Sequence, residues 1–143
     1  MLRNVILHDQ LAPFSSWHCG VEADQLILDP PGDIYTCWES CGRTNGGGKV
    51  GRFLPTLVWD NEVLNSWRNR TISQIEECRS CKYALLCGGG CAQQALEQTG
   101  SIYSSCCDYF EEIFLQELPI LYREIEAEKQ KQELSIAGGN NAL

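Results

Sequence analysis

Four of the nine cysteines in this 143-residue chain lie within fourteen residues, as Cys78-Arg-Ser-Cys81-Lys-Tyr-Ala-Leu-Leu-Cys87-Gly-Gly-Gly-Cys91. Two cysteines separated by two residues reach one metal ion, or two corners of one cluster, and that spacing serves zinc and iron–sulfur sites alike. The rest of the spacing separates them. Zinc modules usually set a second pair a dozen or more residues away, so that a finger forms between the pairs. Here the gap is five residues. Tight runs on irregular backbone are the habit of iron–sulfur ligation. Gly88, Gly89 and Gly90 fit it, because backbone without Cβ atoms wraps closely and aims amides at sulfur. Arg79 and Lys82 stand beside the candidate ligands and would offset cluster charge, or be ordinary solvated cations.

The other cysteines are Cys19, Cys37, Cys41, Cys106 and Cys107. Nine is an odd number, which argues against a closed disulfide framework. Met1 to Ala12 carries one Arg and only short apolar runs, which does not read as a secretory leader. No run of apolar residues is long enough for a membrane span. The expected compartment is the cytoplasm, where thiols stay reduced and cysteine clusters more often bind metal. A net charge of −8 disfavours a nucleic-acid partner, since no basic stripe is present to neutralise phosphates.

The expected fold is small and irregular α+β. Residues 1–18 read as an N-terminal arm. Gln25-Leu-Ile-Leu28 and Ile34-Tyr-Thr-Cys37 flank Asp29-Pro-Pro-Gly-Asp33, a β-hairpin in which Gly32 supplies the positive φ of the turn. Cys41 to Gly51 is polar and glycine-rich and reads as a flexible loop. Asp60 or Asn61 caps a helix running to about Asn69, with Val63, Leu64 and Trp67 on one face. After the cysteine-rich loops, residues 108–134 form a C-terminal helix with an apolar stripe of Phe110, Ile113, Phe114, Leu118, Leu121, Tyr122 and Ile125. Ser104 or Ser105 would cap it, and Pro119 would kink or interrupt it. Residues 135–143 read as a disordered tail. Trp17, Trp38, Trp59, Trp67, Tyr35 and Tyr83 are expected in the core or shielding the clusters.

Cys19, twelve residues, Gly32, four residues and Cys37, followed by the Cys78–Cys91 run and a last cysteine, resembles the SPASM domain. That is the C-terminal auxiliary cluster domain of radical SAM enzymes that mature peptides and proteins, among them the anaerobic sulfatase maturases. The likeness covers residues 19–107. It implies two [4Fe–4S] clusters: Cys78, Cys81, Cys87 and the last cysteine on the second, and Cys19, Cys37 and Cys91 on the first. Cys107 is favoured as that last ligand, because Asp108-Tyr109-Phe110 resembles the family's continuation into a helix. In two places the chain departs from the pattern. No cysteine precedes Cys19, so the first cluster either has an open iron, is incomplete, or recruits Cys41 or His18. Cys106 and Cys107 are adjacent where one would suffice, which leaves Cys106 as an extra candidate.

The resemblance implies an electron relay or a substrate-peptide contact beside a radical SAM barrel, with a redox donor as a further partner. The chain itself would catalyse nothing. Cys37-Trp-Glu-Ser-Cys41 and Cys87-Gly-Gly-Gly-Cys91 both begin the C-x3-C-x2-C triplet of such barrels, but Thr44 and Gln94 stand where its third cysteine belongs. No S-adenosylmethionine site is therefore expected here. From the residues alone, a zinc-binding interaction module without a redox role is the main alternative. A degenerate remnant binding peptide leaders through its helix is another.

Overall fold

The computed structural model of the chain describes residues 14–43 and 47–139, with side chains through 134. Met1–Pro13 of the expected arm and residues 140–143 of the expected tail lie outside them. Ser15–Asp108 forms one compact unit, and the helix that follows Tyr109 belongs to a second. The first unit thus begins ahead of Cys19. The last residues of the arm are held within it, Ser15 donating to the Leu85 carbonyl at 3.0 Å and Ser16 accepting from Ile72 at 3.0 Å.

The unit is α+β, with a four-stranded antiparallel sheet in sequential order. β1 (Ile27–Leu28) and β2 (Asp33–Tyr35) are the expected hairpin, paired Ile27 to Tyr35 and Leu28 to Ile34. Its turn is closed by Gly32 at φ +99°, and the Asp29 carboxylate accepts from the Asp33 amide at 2.7 Å. A Cβ at Gly32 would sit 2.7 Å from Leu54 Cβ, so the glycine also admits the neighbouring loop. β3 (Lys49–Arg52) and β4 (Val58–Trp59) complete the meander.

β3 corrects the expectation of a flexible loop up to Gly51. Val50, fully buried, packs with Ile34 and Leu64, while Lys49 and Arg52 both grip the Asp33 carboxylate across the strands, at 2.7 and 2.9 Å. One core residue and two cross-strand pairs hold a strand that its glycine-rich sequence disguises.

α1 (Asn61–Arg68) forms as its pattern predicts, with the Asp60 carboxylate accepting from the Val63 amide at 3.1 Å. It joins two small cores. Leu64 faces the sheet, and Trp67 packs with Val21, Cys37, Ala92 and Ile102. A third core gathers Ile75, Cys78 and Ala84. The cores are small and separate, and two of the three contain a cysteine.

Two short helices carry the cysteine segment, α2 (Ala84–Cys87) and α3 (Ala92–Thr99). The long helix α4 (Phe110–Gly139) differs from expectation at three points. It starts after Asp108 and Tyr109, both at positive φ, so neither Ser104 nor Ser105 caps it. Pro119 lies inside it without ending it, since losing one amide leaves the surrounding ladder in place. Residues 135–139 are helical, not a loose tail. Phe110, Phe114, Leu118, Leu121 and Ile125 form its less exposed stripe, whereas Ile113 and Tyr122 are exposed. No helix among the described residues is long and apolar enough to cross a membrane.

Candidate metal centre

All nine cysteines are free thiols, and they segregate. Cys78 is buried beside the turn Glu76–Cys78, and its amide bonds the Ile75 carbonyl. Burial pushes its thiol up to about 11, and Cys107, Cys81 and Cys87 add to the rise. Cys87, at the end of α2, is raised first by burial and then by Cys107 and Cys81. Cys81 and Cys107 thus lie near enough to act on both Cys78 and Cys87. These four are the set that the resemblance assigns to the second cluster.

Cys91, ahead of α3, is the common neighbour of a second set. Cys19 is pushed up to about 11 and Cys37 is raised, each by burial first, and Cys91 contributes to both. Cys106 is likewise pushed up to about 11, by burial, by Asp108 and by Cys91. The set therefore contains the three cysteines assigned to the first cluster, with Cys106 beside them.

Against the rise from burial, backbone at Gly89 and Gly90 lowers the Cys87 thiol, Val21 lowers that of Cys19, and Glu39 and Ser40 lower that of Cys37. The Tyr83 amide reaches Cys81 Sγ at 3.4 Å. Such donors stabilise thiolate charge and tune whatever the thiolates bind. Gly88, Gly89 and Gly90 all take left-handed φ, 72°, 89° and 72°. A Cβ at Gly88 would meet the Trp17 carbonyl at 2.2 Å, and one at Gly90 the Cys106 carbonyl at 1.6 Å. The glycine loop between Cys87 and Cys91 is thus clamped between the arm and the last cysteines.

One residue that the sequence did not single out organises all of this. Arg70 is wholly buried. Its guanidinium donates to the carbonyls of Gly89 (3.1 Å), Gly90 (3.0 Å), Ser104 (3.2 Å) and Ile102, and pairs with Glu22 at 3.1 Å. The other Glu22 oxygen accepts from the Cys19 amide at 3.2 Å. Arg70 thereby ties together the segments bearing Cys19, Cys87 and Cys91, and Cys106 and Cys107. It also lowers the Cys78 thiol, against the rise from burial. Of the two cations beside the run, Arg79 donates to the Ser73 carbonyl at 3.0 Å, and Lys82 lies over the Tyr83 ring at 4.8 Å.

The aromatic expectation is corrected in part. Trp67 and Tyr35 are core residues, but Trp17, Trp38 and Trp59 are exposed, at 49%, 70% and 37%. His18 turns its Nδ1 to the Cys87 carbonyl at 3.0 Å. Cys41 lies half-exposed after the turn Trp38–Ser40.

Among the described residues, no three His, Cys, Asp or Glu side chains are gathered tightly enough to hold a single metal ion. A mononuclear zinc site, with bonds of about 2.3 Å, needs sulfurs in mutual contact. A cubane places one thiolate on each iron and so spreads its ligands wider. The thiols beside the Gly88–Gly90 loop are soft sulfur donors of the kind such a body takes.

The raised thiols make a pH prediction for the metal-free chain. Folded values near 11 for Cys19, Cys78 and Cys106 exceed the ordinary 9.0, so the folded state holds these protons more tightly than the unfolded one. The stability they support is complete below pH 9 and is lost as pH climbs toward 11. Thermal unfolding of metal-free protein across that window should show a falling midpoint. A flat profile would contradict the burial of the Cys78 and Cys106 thiols.

No family model matches the chain. A protein of Archaeoglobus fulgidus, described as an uncharacterized protein, is 33% identical over 94 residues, covering 63% of this chain. The matched stretch is only 22% of that protein's length.

Proposed function

We propose that Ser15–Asp108 is an auxiliary iron–sulfur domain of the SPASM type, holding two [4Fe–4S] clusters beside a radical SAM barrel that lies outside this sequence. In this reading Cys78, Cys81, Cys87 and Cys107 hold one cluster, and Cys19, Cys37 and Cys91 hold the other. Bound there, the clusters would pass single electrons between a redox donor and the barrel. The chain's own contribution is positional: the glycine loop, the amides on sulfur and the Arg70–Glu22 pair hold both sets of thiols in one body.

The separation of the thiols into these two sets carries the reading. Cys81 and Cys107 act on Cys78 and Cys87, whereas Cys91 acts on Cys19, Cys37 and Cys106, which accords with the division that the resemblance implies. A related region that makes up a small part of a longer protein accords with a domain working beside others. A groove of about 530 Å³, lined by Lys49, Arg52, Val58 and Trp59 among others, offers a place for a substrate peptide. The cytoplasm, where thiols stay reduced, suits such a protein.

Metal analysis tests this. Protein purified and reconstituted under anaerobic conditions should be brown and carry about eight irons per chain with matching labile sulfide. Stoichiometric zinc in place of iron would make the chain a zinc-binding interaction module instead. A folded chain binding neither metal would remove the redox role altogether.

A further inference from the structure

The first thiol set has three assigned members, whereas a four-iron cube is normally held by four cysteines. Residues 1–18 contain no cysteine to complete it. Three side chains compete for the fourth position, and the fold treats them differently. His18 is exposed and engages the Cys87 carbonyl, on the segment leading to the other set. Cys41 is half-exposed, beyond the turn that follows Cys37. Cys106 is 3% exposed and is pinned on both sides of Cys91. Its amide donates to the Gly89 carbonyl at 3.2 Å, and its own carbonyl fills the space that a Cβ of Gly90 would need. Its sulfur lies 3.4 Å from Gln94 Oε1, in the first turn of α3, directly after Cys91.

The neighbouring residue goes the other way. Residues 105–107 are neither helix nor turn. Cys106 is buried and Cys107 exposed. Cys106 lies against the glycine backbone just ahead of Cys91, its amide on the Gly89 carbonyl and its carbonyl against Gly90. The adjacent pair, redundant in sequence, is divided in space.

We infer that Cys106 is the fourth thiolate of the first cluster, so that Cys106 and Cys107 ligate different clusters from consecutive positions. This rests on the two-cluster proposal. Gln94 is compatible with both protonation states of the sulfur, because an amide presents either an acceptor oxygen or a donor NH2 to its neighbour. The first cluster is then closed by four protein ligands, with no iron left open for substrate or for an outside ligand.

The test compares wild type, Cys106→Ser, Cys41→Ser and His18→Ala after anaerobic reconstitution of the full chain with ferrous iron and sulfide. Cys106→Ser should fall from about eight irons toward about four, or keep its iron with one of two reduced-cluster EPR signals altered. The Cys41 and His18 variants should match wild type. Wild-type iron and EPR in Cys106→Ser, or a lost cluster in Cys41→Ser or His18→Ala, overturns the assignment. Selenocysteine labelled with selenium-77 at position 106 guards against a folding artefact, since it preserves shape and ligating ability. Hyperfine coupling of that selenium to a reduced cluster supports the ligand, and its absence in a chain carrying two clusters refutes it. Failure of wild type itself to take up iron and sulfide is a different result, and it falls on the two-cluster proposal.

Discussion

Replacing Arg70 by methionine is expected to cost about 3–5 kcal/mol, the usual penalty for breaking a buried ion pair from one side. Total stability of a small domain is only about 5–15 kcal/mol, so most of it goes. The loss has two parts. Glu22, whose side chain is 1% exposed, keeps a charge with no cation beside it. The carbonyls of Gly89, Gly90, Ile102 and Ser104 lose their shared donor in a place that water does not reach. Lysine is not a rescue, because a point charge with three donors cannot serve five acceptors spread around a planar fork. Glu22→Gln should be milder, since the amide oxygen still accepts from Arg70 and only the bond from the Cys19 amide is lost. Urea unfolding of the three variants gives the ranking. An Arg70→Met protein with a wild-type midpoint would mean that the cysteine segments hold together without it.

Gly90→Ala should be the next most damaging change. The left-handed φ of +72° alone costs alanine about 1–2 kcal/mol. The new methyl would also stand 1.6 Å from the Cys106 carbonyl, which is backbone and has no rotamer by which to withdraw. Either the glycine loop or the Cys106–Cys107 segment must move, and thiols of both sets move with it. Gly100→Ala is the matched control, at φ +79° with nothing within 4 Å of its added Cβ. Thermal midpoints should separate the pair, with Gly90→Ala falling by about 10 °C or more and Gly100→Ala by a few degrees. Equal shifts would show that the backbone conformation, and not the contact with Cys106, accounts for the effect.

Some elements are legible in the local chemistry of the residues themselves. The β1–β2 hairpin is written in Asp29-Pro-Pro-Gly, whose φ requirements few other arrangements satisfy. α1 is written in the Asp60 cap and in the spacing of Leu64 and Trp67. β3 is hidden because Lys49-Val-Gly-Arg52 offers one apolar residue, and its pairing depends on Asp33 in a distant strand. The start of α4 misleads for a similar reason. Ser104 and Ser105 have the chemistry of caps, but positive φ at Asp108 and Tyr109 turns the chain between them and the helix. For the candidate site, the cysteine run marks the segment that carries Cys78, Cys81, Cys87 and Cys91. It does not anticipate Arg70, whose partners are mostly backbone carbonyls and so leave no trace in residue type. Glu22, its one side-chain partner, is far from it in sequence and reads alone as an ordinary surface acid.

The thiol sets draw on both ends of the unit, and that has a consequence for biosynthesis. At translation rates of ~5–20 residues per second, Cys19 emerges from the ribosome on the order of ten seconds before Cys106. For most of that interval Cys19 and Cys37 wait for the partners that come from the Cys78–Cys91 run and from Cys106 and Cys107, across a long loop that is entropically costly to close. Under the two-cluster proposal, inorganic loading would therefore wait for the whole unit. Until then the nascent polypeptide is vulnerable to oxidants in a way that the completed domain is not.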